Sequence, residues 1–183
     1  GRLNYTGSDI TLPDRTTAVT IAGTTGTTLA DFNGKNITVG ENGTGVYVTG
    51  TAEVDNNTIQ NLVKINVGKS GNGIYINNDK NFQSNIAMSL NGEDSIGVLS
   101  TKNGNIDYST QMDSTTKKVK GLVHTGNGDT VNSGDIKLTG DSSIGAYAEG
   151  GNLLENTNKI EIAKGTTSAT AVGLYGKNQA TVR

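Results

Sequence analysis

The stretch Ile136-Lys137-Leu138-Thr139-Gly140-Asp141-Ser142-Ser143-Ile144-Gly145-Ala146-Tyr147-Ala148 holds two short runs in which apolar and polar side chains alternate. A turn of small and polar residues, Thr139 to Ser143, separates them. Alternation with a period of two marks a strand with one buried face, and Gly, Asp and Ser are residues that punctuate strands. An amphipathic helix needs apolar spacings of about three and four sustained over roughly a dozen residues. No window of this chain supplies them.

The second run recurs. Gly45-Val46-Tyr47-Val48, Gly73-Ile74-Tyr75-Ile76 and Gly97-Val98-Leu99-Ser100 precede it along the chain. Gly121-Leu122-Val123-His124, Gly145-Ala146-Tyr147-Ala148 and Gly173-Leu174-Tyr175-Gly176 continue the series, with glycine-to-glycine steps of 28, 24, 24, 24 and 28 residues. Ala18-Val19-Thr20-Ile21 fits one step upstream, 27 residues before Gly45. The first run recurs as Ile37-Thr38-Val39, Ile65-Asn66-Val67, Met88-Ser89-Leu90 and Ile160-Glu161-Ile162. The fourth repeat is expected to use Ile106-Asp107-Tyr108 for it, displaced upstream, and the last copy carries an insertion before Gly173. A weaker apolar position precedes these runs at Leu29, Ile59, Phe82, Val131 and Leu154. Three short strands per ~24 residues is one turn of a three-sided solenoid, whose coils bury an apolar face only by stacking. The expected fold is therefore an all-β, right-handed parallel β-helix of about seven coils. Residues 1–30 form a less regular first coil, and the rod is on the order of 30 Å long.

Composition agrees. Only 32% of the residues are hydrophobic, yet only 17% are charged and the net charge is −2. That is too little charge for the usual disordered chain and fits an all-β protein rich in turns. No cysteine is present, which removes disulfides and cysteine-ligated metals. Fifteen basic residues against seventeen acidic ones give no stripe for a nucleic-acid backbone. No apolar run reaches the ~18 residues of a membrane helix. The opening Gly1-Arg2-Leu3 and the alternating Ala180-Thr181-Val182-Arg183 at the other end read as cuts through a longer array.

Aligned repeats turn positions into columns. Val46, Ile74, Val98, Leu122, Ala146 and Leu174 form a column assigned to the interior. The glycines before them mark either a backbone bend, the favoured reading, or a close approach of neighbouring coils. The next column is Tyr47, Tyr75, Leu99, Val123, Tyr147 and Tyr175. If alternation holds it faces outward, as a stacking ladder or an amphipathic strip for a partner; the inverse, tyrosines inside, stays open. Glu41, Lys69, Glu93, Lys117, Asp141 and Ala169 fall four residues before the glycines, and charge alternates for five coils.

The chemical inventory is thin. His124, the single histidine, falls in the variable last position of the phrase and is expected to face solvent or to be merely tolerated. Ser–His catalysis would need it, and the Gly-x-Ser-x-Gly elbow is absent. A polysaccharide lyase or glycosidase would want carboxylates clustered on one face, often with a basic residue. Arg2, Arg15 and Arg183 all lie outside the repeat body, and Glu93-Asp94, Asp129, Asp135 and Asp141 read as turn residues. Gly126-Asn127-Gly128-Asp129 only echoes a calcium-binding nonapeptide. The sequons at Asn4, Asn36, Asn42 and Asn56 follow from composition. No catalytic, metal or cofactor-binding residue is assigned, and binding residues are unknown.

The run quoted first, with Asn132-Ser133-Gly134-Asp135-Ile136 leading into it, resembles the repeats of type V autotransporter passengers. It is most similar to those of the very large outer-membrane autotransporters of fusobacteria, over roughly residues 30 to 183. The resemblance implies a right-handed β-helix outside the cell, anchored in the outer membrane only through a C-terminal β-barrel beyond these residues. It implies adhesion, with a host or bacterial surface protein or glycan as partner, or a stalk that presents an adhesive tip. Insertions project from solenoids, so the long turns near residues 49–64 and 149–159 are the expected contact regions. A carbohydrate-active β-helix, a lyase or a tailspike-like depolymerase, is the competing expectation.

Overall fold

A computed structural model describes residues 1–23, 29–150, 153–162, 170–178 and 180–183. Among them every regular element is a strand, and every strand pairing is parallel. Three sheets wrap the rod. Face A runs through Leu29–Val39, Ile59–Val67, Ala87–Leu90, Met112–Ser114, Ile136–Leu138 and Ile160–Ile162, with Arg2–Asn4 and Ile10–Thr11 both beside Leu29–Val39. Face B stacks Thr17–Ile21, Thr44–Val48, Asn72–Ile76, Ile96–Ser100, Lys120–His124, Ile144–Glu149 and Val172–Lys177. Face C stacks Phe82–Ser84, Ile106–Tyr108, Thr130–Asn132, Leu153–Asn156 and Thr181–Val182. The chain visits C, A and B in turn, giving a parallel β-solenoid of about seven coils.

The interior consists of the columns the repeat implies. Val46, Ile74, Val98, Leu122 and Ala146 are fully buried and aligned from coil to coil. Facing them from A, Ile37, Ile65, Met88, Met112 and Ile136 are also fully buried and in register. Full burial of such a side chain contributes about 1.5–3 kcal/mol. Stacking is therefore what makes each short strand stable.

The repeat glycines do not mark a bend. None of Gly45, Gly73, Gly97, Gly121 and Gly145 has a positive φ. A β-carbon on Gly45 or Gly73 would instead lie 2.6 or 2.7 Å from the carbonyl oxygen of the equivalent glycine one coil on. Glycine and the residue after it are both buried, so strict alternation is broken there and the glycine fills an inward position with no room for a side chain. Close approach is the reason for the column.

Two register assignments also change. Ile106-Asp107-Tyr108 lies on face C, paired with Phe82-Gln83-Ser84 and Thr130-Val131-Asn132. The face A strand of that coil is Met112-Asp113-Ser114. Ser114 takes an inward position with its hydroxyl donating to Leu90 O and accepting from Thr116 N–H, so a core position is met by a polar residue. Tyr108 is fully buried and its hydroxyl sits 3.0 Å from Ile86 O and 2.9 Å from Gln111 O; burial pushes its pKa up. In the weak third column, Phe82 and Leu154 point inward, but Val131 lies outward between Asp107 and Glu155, flanked by buried Thr130 and Asn132. Leu29 and Ile59 belong to face A, and Val54 makes the face C bridge to Phe82.

The corner between A and B is a stacked turn. Arg15, Asn42, Ser70, Asp94, Lys118 and Ser142 occupy one column with φ between 52° and 61°. Their N–H groups donate to the coil above: Asn42 to Lys69 O at 2.9 Å, Ser70 to Glu93 O at 2.9 Å, Lys118 to Asp141 O at 2.7 Å. The alternating charge column is thus in register, and Lys69–Glu41 at 3.4 Å and Lys117–Glu93 at 3.6 Å are ion pairs between coils. Such exposed pairs contribute about 0–1 kcal/mol each. Ala169 lies outside the described residues. At the corner between B and C, side chains replace backbone in the same job. Asn103 N–H donates to Asp79 Oδ1, Asn127 N–H to Asn103 Oδ1, Asn105 N–H to Asn81 Oδ1 and Asp129 N–H to Asn105 Oδ1.

Candidate functional site

Outward columns differ by face. On B the columns are Thr44, Asn72, Ile96, Lys120, Ile144 and Val172 beside Tyr47, Tyr75, Leu99, Val123, Tyr147 and Tyr175. Lys120 is the one charged side chain in that set. The tyrosines face outward in stacked pairs, with ring centroids 5.4 Å apart for Tyr47–Tyr75 and again for Tyr147–Tyr175. Tyr47 OH accepts from Asn77 Nδ2 and Tyr147 OH donates to Glu149 Oε2, so the polar tips are held at the edge of the strip. Burial first, then this hydrogen bond, raises the Tyr147 pKa.

Face A carries the charge. Its outward column is Asn66, Ser89, Asp113, Lys137 and Glu161. Lys137 and Lys159 pair with Glu161 at 3.1 and 2.7 Å and lower its pKa, Lys159 first. Lys64 Nζ donates to Ser89 Oγ at 2.9 Å, and Ser89 Oγ donates to Asp113 Oδ1 at 2.7 Å. The ammonium engages the Ser89 lone pair while the hydroxyl proton is held by Asp113. This trio reads as a ladder, as do the paired carboxylates. Glu93, Asp94 and Asp141 sit in the A–B turn and Asp129 and Asp135 at the strand boundaries around Thr130–Asn132 and Ile136–Leu138. No group of three or more His, Asp or Glu side chains suited to a metal occurs among the described residues.

His124 is neither exposed nor incidental. The last position of the phrase faces the core, where Val48, Ile76, Ser100, His124 and Ala148 are all buried. His124 Nε2 lies 2.7 Å from Lys102 O, and Nδ1 lies 2.8 Å from Thr130 Oγ1. A carbonyl only accepts, so Nε2 carries the proton; in the neutral ring Nδ1 then accepts from the threonine hydroxyl. Burial depresses its pKa, partly opposed by the Lys102 carbonyl. It is a satisfied core histidine that ties the B–C corner of the preceding coil to the face C strand of its own.

The coils of unequal length create an open recess. Val54 to Ile65 spans eleven positions, where Phe82 to Met88 spans six. The five extra residues sit at the corner between C and A and overhang the shorter coil that follows. Residues 59–67 are a strand, so only the first part of the expected long turn at 49–64 is a turn. Likewise Leu153–Asn156 is a face C strand within the expected turn 149–159. Under the overhang lies an open cleft of about 350 Å³, with Ile59, Leu62 and Ile86 as its floor and Asn56, Asn57, Gln60, Asn61 and Asn85 around it. Asn61 is fixed there by φ 54° and by donating its Nδ2 to Asp31 Oδ1 at 2.9 Å. Neither the cleft nor its amides stood out in a chain so rich in asparagine; the one signal was the 28-residue step. Compared with known proteins, the chain matches no family model, no curated protein and no solved structure.

Proposed function

We propose that this chain is a non-catalytic, surface-exposed solenoid that serves adhesion, as part of the passenger of an autotransporter displayed on a bacterial outer membrane. The observation that carries the reading is the distribution of outward side chains. On face A, Asp113 pairs with Lys64, and Glu161 with Lys137 and Lys159, while face B presents a strip of tyrosine and aliphatic side chains with Lys120 as the one charge in its outward columns. A rod with such a strip suits contact with another surface, since tyrosine combines apolar area with a polar tip. The wording of the repeat supports export and display by a membrane β-barrel located elsewhere in the parent protein. A host or bacterial surface protein or glycan is the partner class.

Particles coated with the protein and presented to host or bacterial cells test this reading. Attachment that falls when residues 49–58 are trimmed supports it. Turnover of an acidic polysaccharide by the purified chain overturns it in favour of the carbohydrate-active alternative. A stalk role predicts that whole coils can be deleted from the parent protein without loss of attachment.

A further inference from the structure

We propose that the cleft beneath the overhanging coil is a binding site for a neutral, hydroxyl-rich ligand, a saccharide unit of a glycan. The proposal deepens the adhesive reading by naming a ligand class, and it rests on that reading for its biological use though not for its chemistry. Each carboxamide offers two donors and an acceptor, the same mixed character that a sugar hydroxyl presents. Among the described residues, the side-chain amides of Asn56, Gln60 and Asn85 make no hydrogen bond within the protein, so a ligand would displace only water from them. Ile59, Leu62 and Ile86 lie beneath the amides but are buried, so the surface offered to a ligand is mainly carboxamide.

The absence of charge in the lining sets this recess apart. The cleft at the A–B corner of the first coils is lined by Asp14, Arg15, Glu41 and Asn42, and that on face A by residues including Asp113 and Lys137. Asp55, beside the amide cleft, has its carboxylate engaged by the Thr58 hydroxyl and the Asn57 N–H. A carboxylated or sulfated sugar therefore gains no ion pair here, whereas a neutral one loses nothing. A volume near 350 Å³ lies at the small end of the ~300–1,000 Å³ range of small-molecule sites, room for one or two rings. One wall is fixed, because Asn61 lies in a paired strand and donates to Asp31, whereas Asn56, Asn57 and Asn85 come from the turns beside it.

The test uses the full chain labelled with ¹⁵N and titrated with a panel of neutral mono- and disaccharides, with sialic acid and glucuronic acid as charged controls. At least one neutral sugar is expected to shift the side-chain amide signals of Asn56 and Asn85 with millimolar affinity. The double variant Asn56→Ala/Asn85→Ala, whose residues are exposed and make no internal side-chain bond, should keep the wild-type fold and lose affinity about tenfold or more. Failure of every neutral sugar to shift these signals overturns the proposal, as does binding unchanged in the double variant or equal binding of the acidic sugars. Cell attachment is scored separately. Attachment without sugar binding sinks the saccharide site and leaves adhesion standing; sugar binding without attachment keeps the site and sinks the adhesive reading.

Discussion

Replacing Gly97 by alanine should be among the most damaging single changes in the molecule, although it adds one methyl group. The new β-carbon would lie 2.7 Å from the carbonyl oxygen of Gly121 and 2.6 Å from Met112 Sδ, well inside the 3.4 Å at which ordinary contact begins. Met112 is fully buried, so its flexible tip can yield only by repacking among core neighbours. The Gly121 carbonyl moves only with its strand, which is hydrogen-bonded to a neighbour on each side. Overpacking a close-packed core typically costs about 1–3 kcal/mol; the Met112 tip can rotate but the Gly121 carbonyl cannot, which places Gly97→Ala at about 1–3 kcal/mol. Gly173 supplies the control from the same column. Among the described residues, a β-carbon there meets nothing nearer than Ile160 Cγ2 at 4.0 Å, and its φ is not positive. Gly173→Ala should then be neutral or stabilise by up to about 1 kcal/mol, through the reduced freedom of the unfolded chain. Urea unfolding compares the two, with amide hydrogen exchange resolving which coils open, since a solenoid does not have to melt as one unit. Equal stabilities for the two variants, within about 0.5 kcal/mol, would refute the close-approach account of the glycine column.

Four further outcomes follow from polar groups inside and beside the core. His124 has a folded pKa below its unfolded value of about 6.5, so the unfolded chain binds the extra proton first. Stability should therefore decline as pH falls from about 6.5 toward the folded pKa, at up to about 1.4 kcal/mol per pH unit, and His124→Gln should flatten that limb of a stability–pH curve. Tyr108→Phe leaves Ile86 O and Gln111 O without a shared donor and should cost about 1 kcal/mol by urea titration. Asn105→Ala removes the acceptor for Asp129 N–H; about 1 kcal/mol is expected, with faster exchange at the Asp129 amide and unchanged exchange on face A. Ser70→Gly relieves a left-handed backbone that costs a serine about 1–2 kcal/mol, against about 0.5–1 kcal/mol of added chain entropy. A small gain in urea midpoint is the expected result.

How much of this was legible in the residues differs by layer. The coil period and the column from Val46 to Ala146 were plain, because a solenoid stacks like upon like and writes its register as repetition. Ser114, Thr130, Asn132 and His124 were not, since each is a polar residue whose partner is a backbone carbonyl or a side chain in an adjoining turn. Hydrophobic patterning carries no trace of such a partner. The glycine column was visible but its cause was misread, because a missing side chain looks the same whether the chain bends or a neighbour intrudes. The asparagine ladder, by contrast, had a usable signature in Asn81, Asn105 and Asp129 at steps of 24, hidden only by the abundance of similar residues. The cleft follows from a difference in length between neighbouring coils. It belongs to no residue alone.

The stacked turns have a mechanical consequence. Strands run around the rod and their hydrogen bonds run along it, so tension on the two chain ends passes through every coil but peels the outermost one, bond by bond. Those bonds break in sequence, a zipper opened from one end, while the coils beyond share the load across whole strands. A released coil of 24 residues gives up roughly 80 Å of extended chain for the ~5 Å of rod it occupied. Ladders such as Asp79–Asn103–Asn127, which tie each corner to the one above, then act as successive stitches. Pulled along its axis, the protein would lengthen in steps of about 75 Å, with each step dissipating the energy of one coil.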